Sequence, residues 1–429
     1  MGKRRRKKPA PAGVELNVEI ETVGGRGDGL ASSPMGRVFV AYTLPGEEVR
    51  VRLRQKRGEA WAAELLEVTS PSAQRQPPAC GHFESCGGCA LQHWQDQAVN
   101  DWKRELVIQA LASRGLDCRP EPTVPGRPAQ RRRTRLTARR GGAGMVLGYH
   151  GRASRQIVAI DACPLLTADL AALLAPLRAL LGDLGTLGRD IEIALTAADN
   201  GVDVLLKGGA LDLEARQTLV AFALQHDLAR LSWAPLGEAA ETVVQQRLPL
   251  VHFGEIPVVL PPEAFLQASA EAESALAAEV GEAIGPSRRI ADLYAGLGTF
   301  TLRAQASVLA VEGEARAAAA LQAAVDAQAG RLDVRVEVRD LARRPLSDRD
   351  LDGFEAVILD PPAAGAQAQA AALAGSAVPR IAYVSCHPGS FARDARLLVD
   401  GGYELRRVVP VDQFLWSPRV EIAAAFDRG

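Results

Sequence analysis

The segment Asp292-Leu-Tyr-Ala-Gly-Leu-Gly-Thr-Phe300 gives the clearest indication of the fold of the C-terminal half of this chain. It overlaps the apolar run Ile290-Ala-Asp-Leu, which predicts a β-strand, and its glycines Gly296 and Gly298 predict a turn that opens a helix. Glycines at such a turn let the backbone approach a ligand, with the helix N-terminus beneath it. The third glycine of the dinucleotide-binding fingerprint is missing, so the loop favours S-adenosylmethionine over NAD.

On both sides of this loop, from about residue 262 onward, strands alternate with Ala-rich helices. This order predicts a parallel, doubly wound α/β sheet, which binds its ligands beyond the carboxyl ends of the strands. The predicted strands cover residues 290–293, 308–312, 334–338, 356–360 and 381–385.

Acidic residues stand at the ends of three of these predicted strands. Glu312 lies about twenty residues after the start of the glycine loop, where an acid binds ribose hydroxyls. Taken alone, it could equally be an acid that caps a helix. Asp340 could face the edge of an adenine ring, and Asp360 closes the fourth strand in Asp360-Pro-Pro362.

Two further residues near the same sheet edge could carry chemistry. Cys386, in Tyr383-Val-Ser-Cys-His-Pro, follows the fifth predicted strand. A cysteine there is more often part of a buried core than a nucleophile, and His387 beside it does not by itself establish activation. Glu421 lies on the last strand-like segment, as a general base or as a solvated edge acid. The residues alone leave both roles open.

The net charge of −1 conceals two oppositely charged parts. Residues 1–160 carry 27 Lys and Arg against 15 Asp and Glu, whereas the remainder carries 23 against 36. Such an asymmetry indicates that the first part binds a polyanion. No apolar run is long enough to span a membrane, and the basic N-terminus lacks the apolar region of a secretory signal. We therefore expect a cytoplasmic protein with reduced cysteines and no membrane contact.

Two clusters dominate the basic part. The run Lys3-Arg-Arg-Arg-Lys-Lys8 is expected to be a disordered arm, and residues 127–160 contain nine arginines and no acid. Alternation of arginine with apolar residues predicts a strand with one charged face, either solvated or in contact with phosphates. The arginines of matching parity, which we expect to form an RNA-facing row, are Arg131, Arg133, Arg135 and Arg139.

Composition divides the chain into three predicted domains. Residues 12–71 show period-two alternation with glycine turns, which is typical of a small β-barrel of the oligonucleotide-binding type. Residues 72–262 mix strands and helices and include an amphipathic helix at 96–116, which could pack on the third domain. Residues 263–429 form the α/β domain.

Four cysteines suggest a metal cluster in the central domain. Cys80, Cys86 and Cys89 are close in sequence, and Cys163 is followed by Pro164. Structural zinc usually takes two Cys-x2-Cys pairs, of which only one is present, whereas three clustered cysteines plus a distant Cys-Pro are typical of iron–sulfur ligation. We therefore favour a 4Fe–4S cluster over zinc. Cys118 has no partner pattern and is interpreted as a bystander.

Together these motifs resemble those of the RNA uracil-C5 methyltransferases, of the iron–sulfur 23S ribosomal RNA type. The resemblance covers nearly the whole chain. It implies an N-terminal TRAM domain, a central α+β domain holding a 4Fe–4S cluster on Cys80, Cys86, Cys89 and Cys163, and a Rossmann-like class I methyltransferase domain. The residues that it implies for the S-adenosylmethionine pocket are Gln267, Tyr294, Gly296, Gly298, Thr299, Glu312, Asp340 and Asp360.

The resemblance also implies two catalytic residues. Cys386 falls in the nucleophile motif and would add to C6 of uracil as a thiolate, with a pKa lowered by its surroundings. C5 would then take the methyl group, and Glu421 would remove the C5 proton. The target base would have to leave its stack to reach the site.

The sequence departs from the family pattern at several of these positions. Ser269 and Ala363 stand where the family usually has Asn and Arg, Asp340 where some members carry Asn, and Ser417-Pro-Arg-Val-Glu421 lacks a histidine two residues before the glutamate. We expect formation of 5-methyluridine in 23S ribosomal RNA or its precursor, by a monomer. The alternatives are the same chemistry on transfer RNA, or a non-catalytic RNA-binding or folding factor that retains the fold.

Overall fold

The protein, represented by a computed structural model, is described over residues 13–142, 144–184 and 190–428. The basic run Lys3–Lys8 lies outside the described residues. The chain divides into two compact units. Residues up to 99, together with 416–418, form the first unit, and residues 100–415 with the segment from 419 onward form the second.

The first unit contains a β-sheet built from period-two alternation. Its described strands are β1 (Glu15–Glu19), β2 (Thr22–Val23), β3 (Asp28–Ser33), β4 (Gly36–Ala41), β5 (Glu48–Arg57) and β6 (Ala60–Ser70). They pair in the order β1-β5-β6-β4-β3-β2, antiparallel except for β4 and β6. Alternate residues such as Val38, Val40, Val49 and Val51 form its core, because successive side chains of a strand point to opposite faces.

The second unit begins with a mixed sheet. Helix α1 (Asp96–Ala112) begins in the first unit and continues into the second. The elements that follow are β7 (Arg133–Gly141), β8 (Gly144–His150), β9 (Ile157–Ala159), α2 (Ala168–Ala172), α3 (Leu174–Asp183), β10 (Asp190–Ala198), β11 (Gly201–Gly208), α4 (Leu213–Gln225), β12 (Arg230–Pro235) and β13 (Glu241–Gln245). The strands pair in the order β13-β12-β11-β10-β7-β8-β9. Helices α2 to α4 cover one face with buried leucines, among them Leu170, Leu177 and Leu219.

Beyond a hairpin, the chain forms the α/β sheet that carries the glycine loop. The elements are β14 (Leu250–Phe253), β15 (Ile256–Val259), α5 (Ala270–Ile284), β16 (Arg289–Leu293), β17 (Ser307–Glu312), α6 (Ala315–Asp326), β18 (Val334–Val338), β19 (Ala356–Leu359), α7 (Gln367–Gly375), β20 (Arg380–Ser385), α8 (Pro388–Asp400), β21 (Glu404–Val411) and β22 (Glu421–Asp427). The sheet order is β18-β17-β16-β19-β20-β22-β21.

This sheet confirms the predicted α/β class. Strands β16 to β20 are parallel, and β22 and β21 add an antiparallel edge. Both faces are buried: Val357 and Leu359 face one cluster, and Ala356 and Ile358 the other, as expected of parallel strands covered on both sides. The strand order reverses between β16 and β19, where such sheets bind ligands.

Helix α1 ends earlier than the sequence indicated. It stops at Ala112, and a turn through Gly115, which has a φ of 67°, follows it. Val107 and Leu111 of this helix are buried in a cluster with residues of the α/β sheet such as Leu293 and Val357. Within the described ranges, no helix has the length and apolarity needed to cross a membrane.

Candidate active site

The glycine loop folds as a tight turn between β16 and a short 3-10 helix at Thr301–Arg303. Gly296 and Gly298 have φ values of 57° and 93°, a region in which glycine carries no steric cost. A Cβ added at Gly298 would lie 2.5 Å from Leu321 Cδ1 on a backbone with positive φ, so any other residue here would be both crowded and strained. A Cβ at Gly296 would meet nothing within 4 Å, so this side of the turn borders open space. Tyr294 also has a positive φ, 66°.

The strand-end acid Glu312 ties this turn to the neighbouring strand. Its carboxylate accepts hydrogen bonds from Gly296 N (2.8 Å) and Glu314 N (2.7 Å). Asp340 is exposed at the end of β18, where its carboxylate accepts from Ala342 N at 3.0 Å and pairs with Arg343 at 3.3 Å. Three residues predicted for the pocket therefore lie at the loop and at the ends of β17 and β18. They are Gly296, Glu312 and Asp340.

Asp292 supplies a buried acceptor at the base of the loop. Its Oδ2 accepts the Thr301 hydroxyl at 2.6 Å, whereas its buried Oδ1 has no hydrogen-bond partner. Burial raises its pKa to about 6, against the opposing hydrogen bonds from Thr301. An orphaned buried acceptor beside an open glycine turn fits a bound molecule that donates hydrogen bonds, as a nucleoside cofactor does.

Three buried polar side chains and the part-buried Asp360 form a network beside the loop. Gln267 Nε2 donates to Asp360 Oδ2 at 3.2 Å, and Gln267 Oε1 accepts from Gln413 Nε2 at 2.9 Å. Gln413 Nε2 also donates to Glu421 Oε2 at 2.5 Å. Burial, and after it the charges of Asp292 and Glu312, raise the pKa of Asp360 to about 7. The network joins two residues predicted for the cofactor pocket to the predicted base.

Cys386 and Glu421 lie at adjoining strand ends. Ser385, the last residue of β20, pairs with Ile422 of antiparallel β22, so Cys386 and Glu421 are the next residues along this pair of strands. Cys386 is half-buried, and burial, followed by the charges of Glu421 and Asp360, raises its pKa to about 11. The expectation that its surroundings lower the thiol pKa was therefore wrong, because burial disfavours the thiolate and the charges of Glu421 and Asp360 add to that effect.

Glu421 is a buried carboxylate with 3% of its surface exposed, so the alternative of a solvated edge acid was wrong. Burial and the charge of Asp360 raise its pKa to about 8, and the hydrogen bond from Gln413 and the charge of Arg133 oppose the shift. A carboxyl group with a pKa near the working pH can both accept and release a proton.

His387 has a structural role beside the thiol. It is the N-cap of α8, and its Nδ1 accepts the backbone N–H of Ser390 at 3.1 Å, with Pro388 in the first turn. This hydrogen bond engages one ring nitrogen of the histidine as an acceptor. The suggestion that His387 activates Cys386 therefore gains no support from the structure.

Three arginines of the predicted row, Arg133, Arg135 and Arg139, lie at alternate positions of β7, and their surroundings differ. Positions 134, 136 and 138 are buried, whereas positions 133, 135, 137 and 139 are exposed in part or fully. Arg139 pairs with Asp190 at 2.5 Å, and the Arg135 side chain stays 75% exposed with Glu263 at 3.6 Å. The Arg133 guanidinium lies over the Phe265 ring, 4.3 Å from its centroid, and burial lowers its pKa to about 10.

The sequence interpretation missed two residues of this site. Gln413 carries no recognisable motif, and Arg133 was assigned only to the charged row. Ser269, a departure from the family pattern, is the N-cap of α5, with Oγ accepting from Ala272 N at 3.1 Å. Serine and asparagine are comparable N-caps, so this change keeps the helix start. Ala363 is exposed, and its carbonyl accepts the Ser390 hydroxyl at 2.9 Å.

The cysteines predicted to bind a cluster lie outside the helices and strands. Cys80, Cys86 and Cys89 are half-buried in the first unit, and Cys163 packs at the edge of the leucine core of the second. In the parts of the chain that the structure describes, no group of three or more His, Cys, Asp or Glu side chains could hold a metal ion. Cys118 packs against the core of the α/β sheet, which suits a bystander.

No protein-family model matches this chain. It is 43% identical over 415 residues to a Brucella suis protein named as an uncharacterized RNA methyltransferase, covering 96% of this chain and 98% of that protein. It is 33% identical over 422 residues to the 23S rRNA (uracil(1939)-C(5))-methyltransferase RlmD of Chromohalobacter salexigens, covering 94% of this chain and 87% of that enzyme.

A solved structure shares the fold. The tRNA (uracil-54, C5)-methyltransferase of Pyrococcus abyssi, in complex with S-adenosyl-L-homocysteine, superposes with a TM-score of 0.75 at 20% identity, covering 96% of this chain and all of that one. The identity to curated relatives, over nearly the full length of both partners, goes beyond a shared fold. The chain belongs to the family of RNA uracil-C5 methyltransferases.

Proposed function

We propose that this protein transfers a methyl group from S-adenosylmethionine to C5 of a uracil in 23S ribosomal RNA, forming 5-methyluridine. The observation that carries the proposal is the placement of Cys386 and Glu421 at adjoining ends of β20 and β22. A thiol and a buried carboxyl group side by side, next to the glycine loop, are the two groups that this substitution on uracil requires.

C5 of uracil is too weak a nucleophile to take a methyl group directly. The Cys386 thiol releases its proton to solvent, its sulfur bonds to C6, and the electrons of the C5–C6 double bond move into an enolate over C5, C4 and O4. Bound S-adenosylmethionine would supply an electrophilic methyl group, which C5 takes as the S–CH3 bond breaks and S-adenosylhomocysteine leaves. Glu421 then accepts the C5 proton, the electrons of that C–H bond restore the double bond, and the S–C6 bond breaks to release the thiolate.

The pKa values indicate why Cys386 and Glu421 are not both ionised at neutral pH. The Cys386 thiol, with a pKa of about 11, and Glu421, with a pKa of about 8, both hold their protons through much of the neutral range. A thiolate forms more easily while Glu421 is neutral. Once the sulfur is bonded to carbon and C5 is methylated, Glu421 can ionise, with its proton released to solvent, and act as the base.

The cofactor would lie along the glycine loop. Glu312 and Asp340 supply acceptors for the ribose and adenine, and Asp292 Oδ1 is a buried acceptor nearby. Gly296 gives the close approach that the ligand needs. We assign Gln267, Tyr294, Gly298, Thr299 and Asp360 to the same pocket on the strength of the family pattern.

The choice of ribosomal RNA is supported by the RlmD relative from Chromohalobacter, at 33% identity. The matched tRNA enzyme is only 20% identical, which reflects the fold alone. The excess of Lys and Arg in residues 1–160 supports contact with phosphates. We assign the sheet of the first unit to a TRAM-type RNA-binding barrel and expect a cytoplasmic monomer.

Methyl transfer to defined transcripts tests this choice. Purified protein, S-adenosylmethionine with a labelled methyl group, and either a 23S rRNA domain transcript or a tRNA transcript would be incubated, and nucleosides would be identified by mass spectrometry. We expect 5-methyluridine in the 23S transcript. Its formation in tRNA alone would favour the tRNA alternative, and RNA binding without methylation under single-turnover conditions would favour a non-catalytic factor.

We also propose that Cys80, Cys86, Cys89 and Cys163 hold a 4Fe–4S cluster, based on their number and spacing. Protein purified without oxygen should be brown and contain about four irons per chain, and Cys89→Ser should lose the colour. Cys118→Ser is the matched control and should keep it. One zinc and no iron in anaerobic protein would contradict the assignment.

A further inference from the structure

A glutamine outside every recognised motif occupies the centre of the buried network. Gln413 lies between β21 and β22 with 8% of its surface exposed. Its Oε1 accepts the backbone N–H of Ala268 at 2.7 Å. Its Nε2 donates to Glu421 Oε2 at 2.5 Å and to Gln267 Oε1 at 2.9 Å. All the hydrogen-bonding capacity of the amide nitrogen is thus directed at two residues of the site.

The backbone contact fixes which way this amide points. If the amide flipped, its oxygen would face the carboxylate of Glu421 and its nitrogen would face the Ala268 N–H, so two donor–acceptor pairs would become like pairs. With the amide fixed, Gln267 Oε1 is an acceptor, and its Nε2 must point toward Asp360. Gln413 therefore donates to Gln267, and Gln267 donates to Asp360.

The segment around Gln413 is itself held in place. The ammonium group of Lys103 on α1 donates to Asp412 Oδ1 at 2.5 Å and to the Phe414 carbonyl at 3.1 Å. Lys103 and Asp412 are both fully buried. The residues on either side of Gln413 are thus attached to one cation, which limits how far the amide can move.

We propose that Gln413 is a positioning residue that holds one oxygen of Glu421, leaves the other oxygen for the C5 proton of uracil, and orients Gln267 toward Asp360. This inference rests on the proposed role of Glu421 as the base. Gln413 touches no reacting atom, and it acts through Glu421. Without it, methyl transfer to C5 can still proceed, but removal of the C5 proton and release of the Cys386 thiolate are slowed.

The hydrogen bond also lowers the pKa of Glu421 against the effect of burial. Removing it should raise that pKa, so that a larger fraction of Glu421 is protonated at neutral pH and cannot act as a base. Loss of Gln413 should then slow proton removal more at pH 7 than at pH 9. A residue with only a structural role would reduce the rate by the same factor at both pH values.

The variant Gln413→Met keeps the length of the side chain and removes both donors. Gln369→Met is the matched control, because Gln369 is a fully buried glutamine on α7 whose amide exchanges hydrogen bonds with the backbone of Leu346. Both variants, with wild type and Glu421→Gln, would be mixed with RNA and labelled S-adenosylmethionine. The readouts are thermal melting, cofactor binding, turnover at pH 7 and 9, and methylated protein–RNA adduct on a denaturing gel.

We expect Gln413→Met to lose at least tenfold in turnover at pH 7, to recover part of it at pH 9, and to accumulate the methylated adduct as Glu421→Gln does. Gln369→Met should keep the wild-type turnover at both pH values and accumulate no adduct. If Gln413→Met does not fold, Gln413→Ala removes the same donors with a smaller side chain, and it should show the same adduct. A Gln413 variant with wild-type turnover, or a uniform loss at both pH values without adduct, would overturn the inference. Failure of wild type to methylate RNA would instead contradict the proposed function.

Discussion

The carboxylate of Glu421, the first residue of β22, raises the pKa of the thiol of Cys386, which directly follows β20. Ser385 of β20 pairs with Ile422 of β22, and Cys386 and Glu421 are the next residue on each strand. Burial contributes more to the shift than either neighbouring charge does. The thiol of the RNA-free protein is therefore protonated at neutral pH, and its reactivity depends on its neighbours.

Alkylation of Cys386 should follow this pKa. The rate of modification by iodoacetamide, measured by peptide mass spectrometry without RNA, should rise steadily from pH 8 to above pH 10, because only the thiolate reacts. Glu421→Gln removes the negative charge and should speed alkylation of Cys386 at pH 9. Cys118 in the same samples serves as control and should react at an unchanged rate. A plateau already reached at pH 7 would contradict the raised pKa.

Substitution of the two proposed catalytic residues should stop the reaction at different steps. Cys386→Ala should bind RNA and cofactor but form neither product nor covalent complex, because the bond to C6 is lost. Glu421→Gln should trap a methylated protein–RNA adduct, because methyl transfer precedes proton removal. Denaturing gels with labelled methyl groups distinguish the two, and RNA containing 5-fluorouridine should trap the wild type. Product formation by Cys386→Ala at the wild-type rate would rule out its assignment as nucleophile.

Buried acids should make the folded protein less stable as pH rises. Asp360 and Glu421 have folded-state pKa values of about 7 and about 8, above those of unfolded carboxyl groups, so the native state binds more protons than the unfolded state between about pH 4 and 8. The free energy of unfolding attributable to them therefore falls across this range. Glu421→Gln should flatten the fall in urea titrations between pH 5 and 8. An equally steep fall in that variant would mean that Glu421 ionises normally.

The exposed arginine of β7 should contribute to RNA binding through its charge. Arg135→Ala should weaken RNA binding and reduce the slope of log affinity against log salt by about one unit, the contribution of one phosphate contact. Arg216→Ala removes the same charge from the exposed face of α4, where Arg216 pairs with Glu241, and should leave the slope unchanged. Equal slopes in all three proteins would show that Arg135 serves the protein surface alone. Arg133 is unsuitable for this test because it also influences Glu421.

Local patterns in the sequence were enough to find the scaffold of the site. The glycine loop and the period-two runs are formed by residues close together in sequence. For that reason β16 to β20 and the outward face of β7 could be predicted. Those strands in turn place Glu312 and Cys386 at one edge of the sheet, because the carboxyl ends of parallel strands meet there.

The electrostatics of the site could not be predicted in the same way. The pKa of Cys386 depends on burial and on Asp360 and Glu421, which are distant in sequence. Gln413 reaches the site through a hydrogen bond to Ala268, 145 residues earlier. Such contacts depend on the packing of separate elements, which no periodicity reveals. Proximity in sequence was also misleading for His387. It follows Cys386 directly, but it is engaged as the N-cap of α8.

Lys103 and Asp412, 309 residues apart and both fully buried, have a consequence for how this protein can be divided. Removing one partner of a buried ion pair typically costs about 3–5 kcal/mol, because the other charge is left uncompensated. A fragment beginning at residue 263 would contain the glycine loop, Cys386 and Glu421, but it would lack this cation and the apolar side chains of α1. Such a fragment should melt well below the full chain and turn over no RNA. The α/β sheet is therefore not a self-sufficient module that could be grafted onto another RNA-binding partner.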